Sequence, residues 1–492
     1  MRILVVAHAF PPEGCGGTER YAEAAARALQ ARGHSLLVFT GSLEWRARFE
    51  VVRAVDRGLP VTRVHRSDLY FDHWDKGSNP FVARAFEDEL GRFRPDVVHL
   101  HQWIRLSDDL LRRAAAHGVP ALVHLHDLFV TCPRVFRMRP DPAEEAEADD
   151  VVVCDEPLGP AACTGCVPRW RFQDDASIGA AIERRSRELS AELASAAALV
   201  APLRGHAELV ARHAARAGLV IDELPHPRLP GGIEGPGRDA RSPAGALRLL
   251  YFSHLLPMKG AHVVLEAMGR LGAGSGISLD VHGPFATPGY EARLRRLAEG
   301  LEVRFHGAYA ADEPCRTAAD VAVVPTLARE SWSFWLDEAA RLGLPIVAAG
   351  SGAVAQRATG RVRLYPAHDA AALARALIEL RDDPALRRAL AAAPPPPTWP
   401  LDAHAAALEE RLEAVVRAGA PATPPPPPPE ALVPEFELRE AEFGRLLRTG
   451  GPAEPHGRLR AEIERRLQER RDAGKGSGGG PPPAETGRAR PE

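Results

Sequence analysis

Residues 319–350 read ADVAVVPTLARESWSFWLDEAARLGLPIVAAG. The segment opens on a β-rich apolar run, ADVAVVPT, and closes on another, LPIVAAG. Between them lies a helical pattern that Gly343 and Pro345 bring to an end. A strand, a helix and a second strand in about 30 residues make a βαβ unit, whose strands run parallel. At its centre, ESWSFWLDE (330–338) sets two glutamates around two tryptophans and a phenylalanine. Glu330 falls in the loop that leaves the first strand's carboxyl end, Ser331 or Ser333 is placed to cap the helix, and Glu338 follows within two turns. A helix amino end at that edge offers unpaired N–H groups and partial positive charge to an anionic or hydroxyl-rich ligand. Glu330 then accepts hydrogen bonds from ligand hydroxyls, while the aromatic residues pack the helix on the sheet. The competing reading is a capped surface helix with an exposed acid at each end.

The same alternation extends in both directions. Apolar runs at 3–7, 36–40, 97–100, 121–125 and 199–201 alternate with helical patterns at 18–32, 83–92, 107–117 and 182–196. Thr18 is expected to cap the first helix and Gly33 to end it. RLPGGIEGPGRDARSPAG (228–245) has no apolar period and reads as a linker. Strands then return at 247–252, 278–282, 303–306, 321–325, 345–349 and 362–365. The expectation is therefore α/β: two doubly wound, Rossmann-like domains, 1–227 and 246–417, facing a cleft at the carboxyl ends of their sheets, where ligands of such sheets bind. From 418 to 492 a Pro- and Gly-rich tail with short helices is expected to be largely disordered, as a solvated appendage or as a docking helix for a protein partner.

The bulk composition fits an enzyme of ordinary solubility. The chain has 492 residues, 45% hydrophobic and 26% charged, with a formal net charge of −3. That balance gives no global field pointing to nucleic acid or an anionic membrane. The opening apolar run, stopped by Pro11 and Pro12, is too short to span a bilayer and lacks a signal peptide's features, so a cytoplasmic location is expected.

Six motifs in order carry a resemblance. GCGGTERYAEAAARAL (14–29), RPDVVHLHQW (94–103) and VPALVHLHDLFVTCPR (119–134) lie in the first domain. LLYFSHLLPMKGAHVVLEAM (249–268), LDVHGPF with VRFHGAY, and the paired-glutamate segment lie in the second. Together they resemble the retaining glycosyltransferases of the GT-B fold, in particular family 4 (glycosyl transferases group 1), over residues 1–417. The resemblance implies transfer of a sugar from a UDP- or GDP-sugar to a glycan, lipid-linked or small-molecule acceptor, with any membrane contact peripheral and at the inner face. It puts Lys259 on the donor diphosphate, Glu330 on sugar hydroxyls, Glu338 on ribose, and the N–H groups of Trp332, Ser333 and Phe334 near sugar or phosphate. Gly16 and Gly17 become the close-approach turn, and His126 matches a histidine near the reacting carbon. The sequence departs from the family at His254, where an arginine is usual, and at Gln356, where an acid is common. No D-x-D pattern occurs, in keeping with catalysis that requires no metal cofactor, and no general base is assigned. A sugar-nucleotide epimerase of the same fold, or a weakly catalytic nucleotide-sugar-binding scaffold, are the rival functions.

Cys132, Cys154, Cys163 and Cys166 fall in an insertion at 131–170 that a subset of the family shares. CTGC has the knuckle spacing a tetrahedral ion prefers, so a structural zinc is one reading; free thiols or two disulfides are the other.

Overall fold

In the computed structural model, which describes residues 1–70, 73–143, 150–169, 173–231, 233, 238–310, 312–445 and 464–472, the alternation becomes two main sheets. The first contains β1 (Arg2–Ala7), β2 (Ser35–Gly41), β3 (Glu50–Asp56), β4 (Leu59–His65), β5 (Val97–Leu100) and β6 (Ala121–His124). A hairpin of β7 (Met138–Pro140) and β8 (Val151–Val153) follows, and then β9 (Ala198–Ala201) and β10 (Asp222–Glu223) complete the sheet. Its order is β10-β9-β6-β5-β1-β2-β4-β3, parallel except for the β3–β4 hairpin. β11 (Arg238–Asp239) leads into the second domain, formed by β12 (Leu247–Phe252), β13 (Ile277–His282), β14 (Glu302–Gly307), β15 (Ala318–Ala319), β16 (Val321–Val324), β17 (Ile346–Ala349) and β18 (Val362–Tyr365). Its main sheet runs β14-β13-β12-β16-β17-β18, all parallel.

Both sheets are covered on both faces, which is why their strands read as unbroken apolar runs. In β1, Ile3 and Val5 face the core beneath the first helix (Gly17–Ala31), while Leu4 and Val6 face the opposite core with Phe86 and Leu90. Successive side chains of a strand point to opposite faces, so one short run serves two cores. The hairpin β3–β4 lacks that signal: β3 has no buried position, and Pro60, Thr62 and Arg63 break up the apolar run of β4.

Two expectations change. Thr18 lies inside the first helix, whose N-cap is Gly16 with no side-chain cap bond; Gly33 does follow the helix end, at φ 91°. The helix Leu401–Ala418, placed by sequence at the end of the second domain, crosses back, and Leu408, Leu412 and Val415 join the core under the first helix. The described parts of the tail form short helices that lie on the first domain. The tail helix Val433–Arg445 sets Phe436 and Phe443 against Tyr70, and Arg439 donates to the Asp75 carbonyl at 2.8 Å. The segment 464–472 adds Arg470, which donates to Glu440 at 2.6 Å. The remainder of the tail, 446–463 and 473–492, lies outside the described residues. Among the described residues no helix is long and apolar enough to cross a membrane.

Candidate active site

The second domain brings a cation and an acid together. After β12 the chain makes a 3-10 turn, Pro257–Lys259, and enters a helix through Gly260 at φ 73°. A Cβ there would lie 2.0 Å from the Pro325 carbonyl oxygen, so both the backbone angle and the close approach require glycine. That turn aims Lys259 at the loop leaving β16. Its Nζ donates to Glu330 Oε1 at 2.5 Å, and Thr326 Oγ1 donates to the same oxygen at 3.0 Å. Burial alone would raise the Glu330 carboxyl, but the Lys259 charge and hydrogen bonds outweigh it and hold the group below its ordinary range.

The glutamate helix (Phe334–Arg341) begins differently from expectation. Neither serine caps it. Ser333 occupies the N-cap position in left-handed backbone, φ 66°, with no cap bond, and its hydroxyl sits near Glu330 without hydrogen-bond geometry. Ser331 instead donates to the carbonyl oxygen of His126 across the cleft. Trp332 is tied inward: its Nε1 donates to Asp337 at 2.8 Å, and Arg357, paired with Asp337, lies 3.6 Å from the ring centroid. Phe334 reaches the first domain. A Cβ on Gly17 would come 2.9 Å from its ring, and the ring stacks on His226 at 5.3 Å. Glu338 accepts from Arg20 of the first helix at 2.8 Å.

The first domain supplies the facing wall. Gly16 lies under the Glu19 carboxylate, with 2.7 Å between a built Cβ and Oε2. His126 stands just past β6, as its place in the sequence predicts, but buried in a cluster of imidazoles. Its Nε2 is 2.8 Å from His101 Nδ1 and its Nδ1 is 3.2 Å from His226 Nε2. The protons at one side of this cluster can be assigned. His404 Nδ1 donates to the Pro225 carbonyl at 2.9 Å, so His404 Nε2 accepts from the Tyr21 hydroxyl at 2.8 Å. The Tyr21 oxygen then accepts from His124 Nδ1 at 3.1 Å. Burial, reinforced by neighbouring imidazoles, holds His101, His124, His126 and His226 well below the ordinary histidine range, so the cluster is neutral. His99 is buried among them in the same way. Asp127 caps the next turn, accepting from the Phe129 N–H at 2.8 Å.

Lys259, Glu330, Phe334, Glu338, Gly17 and His126 therefore meet at one cleft. His254 sits on the same loop as Lys259, exposed, its carbonyl accepting from Tyr251. The cysteine insertion bridges the domains nearby. Met138 enters the core of the second domain, Asp155 pairs with Arg329, and Asp150 pairs with Arg293 at 2.7 Å. Its four cysteines are unpaired and lie within electrostatic reach of one another. Among the described residues, however, the trios whose ligand atoms all approach within 4.8 Å are histidines: His99, His101 and His124, and His124, His126 and His226.

Two family models match the chain: Glycosyltransferase Family 4 over residues 15–158, and Glycosyl transferases group 1 over residues 246–383. Each match lies within one of the two domains. The chain belongs to the GT-B glycosyltransferases of the family 4, group 1 type. A comparison of the sequence with curated proteins finds no match. Among solved structures, this glycosyltransferase is similar to a sucrose-phosphate synthase from Thermosynechococcus elongatus. The TM-score is 0.55 at 18% identity, covering 91% of this chain and 98% of that one. The α,α-trehalose-phosphate synthase (UDP-forming) from Burkholderia xenovorans, in complex with glucose-6-phosphate, gives 0.54 at 11% identity, over 84% and 100%. The catalytic domain of starch synthase IV from Arabidopsis thaliana, bound to ADP and acarbose, gives 0.53 at 13%, over 85% and 99%.

Sequence reading of this glycosyltransferase missed the residues that join its domains, Arg20, Arg329 and Asp155, and also the inward pair Arg357–Asp337 within the second domain. Arg20 sits three residues after Gly17 in the quoted glycine-rich motif. Its partner lies 318 positions away, and no local pattern encodes such a pairing.

Proposed function

We propose that the enzyme transfers a sugar from a nucleoside-diphosphate sugar to an acceptor hydroxyl with retention of anomeric configuration. The observation that carries this reading is the Lys259–Glu330 pair at the carboxyl edge of the second sheet. Each group neutralises the other there, so an arriving diphosphate takes over the lysine and frees the carboxylate for the sugar hydroxyls. Fixed positive charge at the diphosphate stabilises the leaving group as negative charge develops on it. The acceptor oxygen bonds to the anomeric carbon as that carbon's bond to the diphosphate breaks. A departing phosphate oxygen takes the acceptor proton, so no side-chain base and no metal step are assigned. Glu338, held by Arg20, is the group proposed for ribose, and His126 borders the reacting centre through its carbonyl contact with Ser331. The family matches favour transfer over epimerisation.

The test is a thermal-shift screen with UDP-, GDP- and ADP-sugars, followed by an assay of nucleoside diphosphate release. A bound donor raises the apparent melting temperature by mass action. Release that depends on an added acceptor supports transfer. Isomerised sugar without release, or no stabilisation by any nucleotide sugar, contradicts it.

We also propose that Cys132, Cys154, Cys163 and Cys166 hold one structural zinc ion. The C-x-x-C turn and two further thiols of one insertion supply a full tetrahedral donor set, and drawing them onto one ion would brace the bridge between the domains. Elemental analysis should find close to one zinc per chain, lost in Cys163→Ser/Cys166→Ser. Metal-free folded protein with four titratable thiols refutes the site.

A further inference from the structure

β5 and β6 lie side by side in the first sheet, with Leu100 opposite Val123. One step further along that register sets His101 opposite His124. His99 shares a face with His101, because alternate residues of a strand point the same way. Tyr21 of the first helix packs on His101 and His124, with ring centroids 5.7 and 4.8 Å apart. His99, His101 and His124 are 0%, 2% and 0% exposed.

The hydrogen bonds around these rings leave some nitrogens bare. His404 donates through Nδ1 to the Pro225 carbonyl, and Tyr21 donates to His404 Nε2. The Tyr21 oxygen therefore accepts from His124 Nδ1 at 3.1 Å. A neutral imidazole carries one proton, so His124 Nε2 is a lone pair, buried with no donor among the described residues. His101 uses Nδ1 on His126 at 2.8 Å, and its Nε2 is buried without a partner. His99 has a partner at neither nitrogen. Three adjacent buried rings thus each keep an unused nitrogen, which is costly unless something binds there.

The geometry suits one ion. The ligand nitrogens of the three rings lie within 4.8 Å of one another, against about 3.3 Å around a tetrahedral ion with bonds of about 2.0–2.1 Å. Ring centroids are 4.1, 6.0 and 6.1 Å apart, scattered around the roughly 5 Å of imidazoles sharing one ion. Modest ring rotations bring the nitrogens onto one centre. A second trio, His124, His126 and His226, is as close, but His126 uses both its nitrogens on neighbouring imidazoles.

We propose that His99, His101 and His124 bind one first-row transition-metal ion of the zinc class through neutral imidazole nitrogens. Such ions favour imidazole and take it in its neutral form. Metal-binding histidines usually donate their far ring nitrogen to a fixed acceptor, as His124 does to Tyr21. The fourth position falls to solvent, and a hydroxide there halves the buried charge. Coordination through His101 Nε2 keeps the proton on Nδ1, which then donates to His126 Nε2, and His126 Nδ1 donates to His226. The ion thereby sets the tautomer of the histidine whose carbonyl accepts from Ser331. This site is separate from the four cysteines and independent of the transfer reading.

The test is titration of the purified full chain with cobalt(II) chloride, cobalt standing in for zinc. One equivalent should bind beyond any ion the cysteines hold, with visible d–d bands and no thiolate-to-cobalt charge-transfer band. Its affinity should fall about a hundred-fold or more in His99→Gln and in His124→Gln, and about ten-fold to a hundred-fold in Tyr21→Phe, which removes only the contact fixing the His124 tautomer. Uptake should persist in His226→Gln and in Cys163→Ser/Cys166→Ser. If the glutamine variants fail to fold, X-ray absorption of the cobalt-loaded wild type decides. Nitrogen neighbours with imidazole outer scattering support the site, and sulfur neighbours alone overturn it. No uptake beyond the cysteines, or uptake indifferent to His99 and His124, overturns the proposal, as does uptake lost in His226→Gln but kept in His99→Gln. A thiolate band lost in the cysteine variant, with no other cobalt bound, would leave the cysteine site standing alone.

Discussion

Replacing Lys259 with methionine removes one charge of a pair whose side chains are 22% and 13% exposed. At an effective dielectric of about 20, two charges about 4 Å apart attract by about 4 kcal/mol. Desolvation takes back much of that, and partial exposure screens more, leaving a net coupling of about 1–3 kcal/mol. Lys259→Met also strands the Glu330 carboxylate, so its stability loss should exceed that of Glu330→Gln. The double variant should then lose less than the sum of the singles by about 1–3 kcal/mol. The pH dependence has a definite sign. In the wild type the Glu330 carboxyl is held below its ordinary 4.5. Its contribution is therefore complete above about 4.5 and is lost as pH falls through the lower folded value. In Lys259→Met, burial is left as the dominant cause and raises the group above 4.5. The variant's penalty is then full at pH 7 and fades as pH falls toward 4.5. Urea denaturation at pH 7 and pH 4.5, followed by tryptophan fluorescence, measures both effects. Additive single losses that are the same at the two pH values would refute the argument.

Removing everything after Gly419 should destabilise the first domain, because Leu432 and Phe443 are buried on it. Losing two such side chains is worth about 3–6 kcal/mol, and calorimetry of the truncated chain should show a lower melting temperature; an unchanged one would mean the tail is not docked. Gly17→Ala sets a methyl group 2.9 Å from the Phe334 ring. It should cost about 1–3 kcal/mol by overpacking and speed proteolysis between the domains, with Phe334→Leu restoring the parent behaviour; equal cleavage rates would show that the contact does not hold the cleft.

Much of the fold was legible because parallel strands buried on both faces announce themselves as short apolar runs, and β1, β5, β6 and β16 fall where those runs lie. β3, with no buried position, gave a weaker signal. In the described part of the tail, the proline-rich composition hides two spaced aromatic residues, Phe436 and Phe443, whose contact with Tyr70 no local pattern encodes. At the site, Lys259 and Glu330 were legible as motif members. Their direct pairing was not, because it depends on Gly260 pressing against the Pro325 carbonyl and so bringing two loops into register. His126 was placed correctly at a strand end, but its burial comes from His226 and the returning helix with His404, both distant in sequence. Caps were the least legible feature. Ser331 is taken by the opposite domain and Ser333 is turned away by its left-handed backbone.

Under the proposed function Lys259 and Glu330 exchange each other for a nucleotide sugar, and calorimetric titration of nucleoside diphosphate into Glu330→Gln tests that exchange most directly. Neutralising the acid frees the lysine from its internal partner. The bare diphosphate should therefore bind at least as tightly as to the wild type, while turnover of the full donor falls more than ten-fold, because the lost contact is to the sugar. Diphosphate affinity that collapses in Glu330→Gln, or turnover that matches the wild type, would contradict the exchange and leave the pair a structural salt bridge.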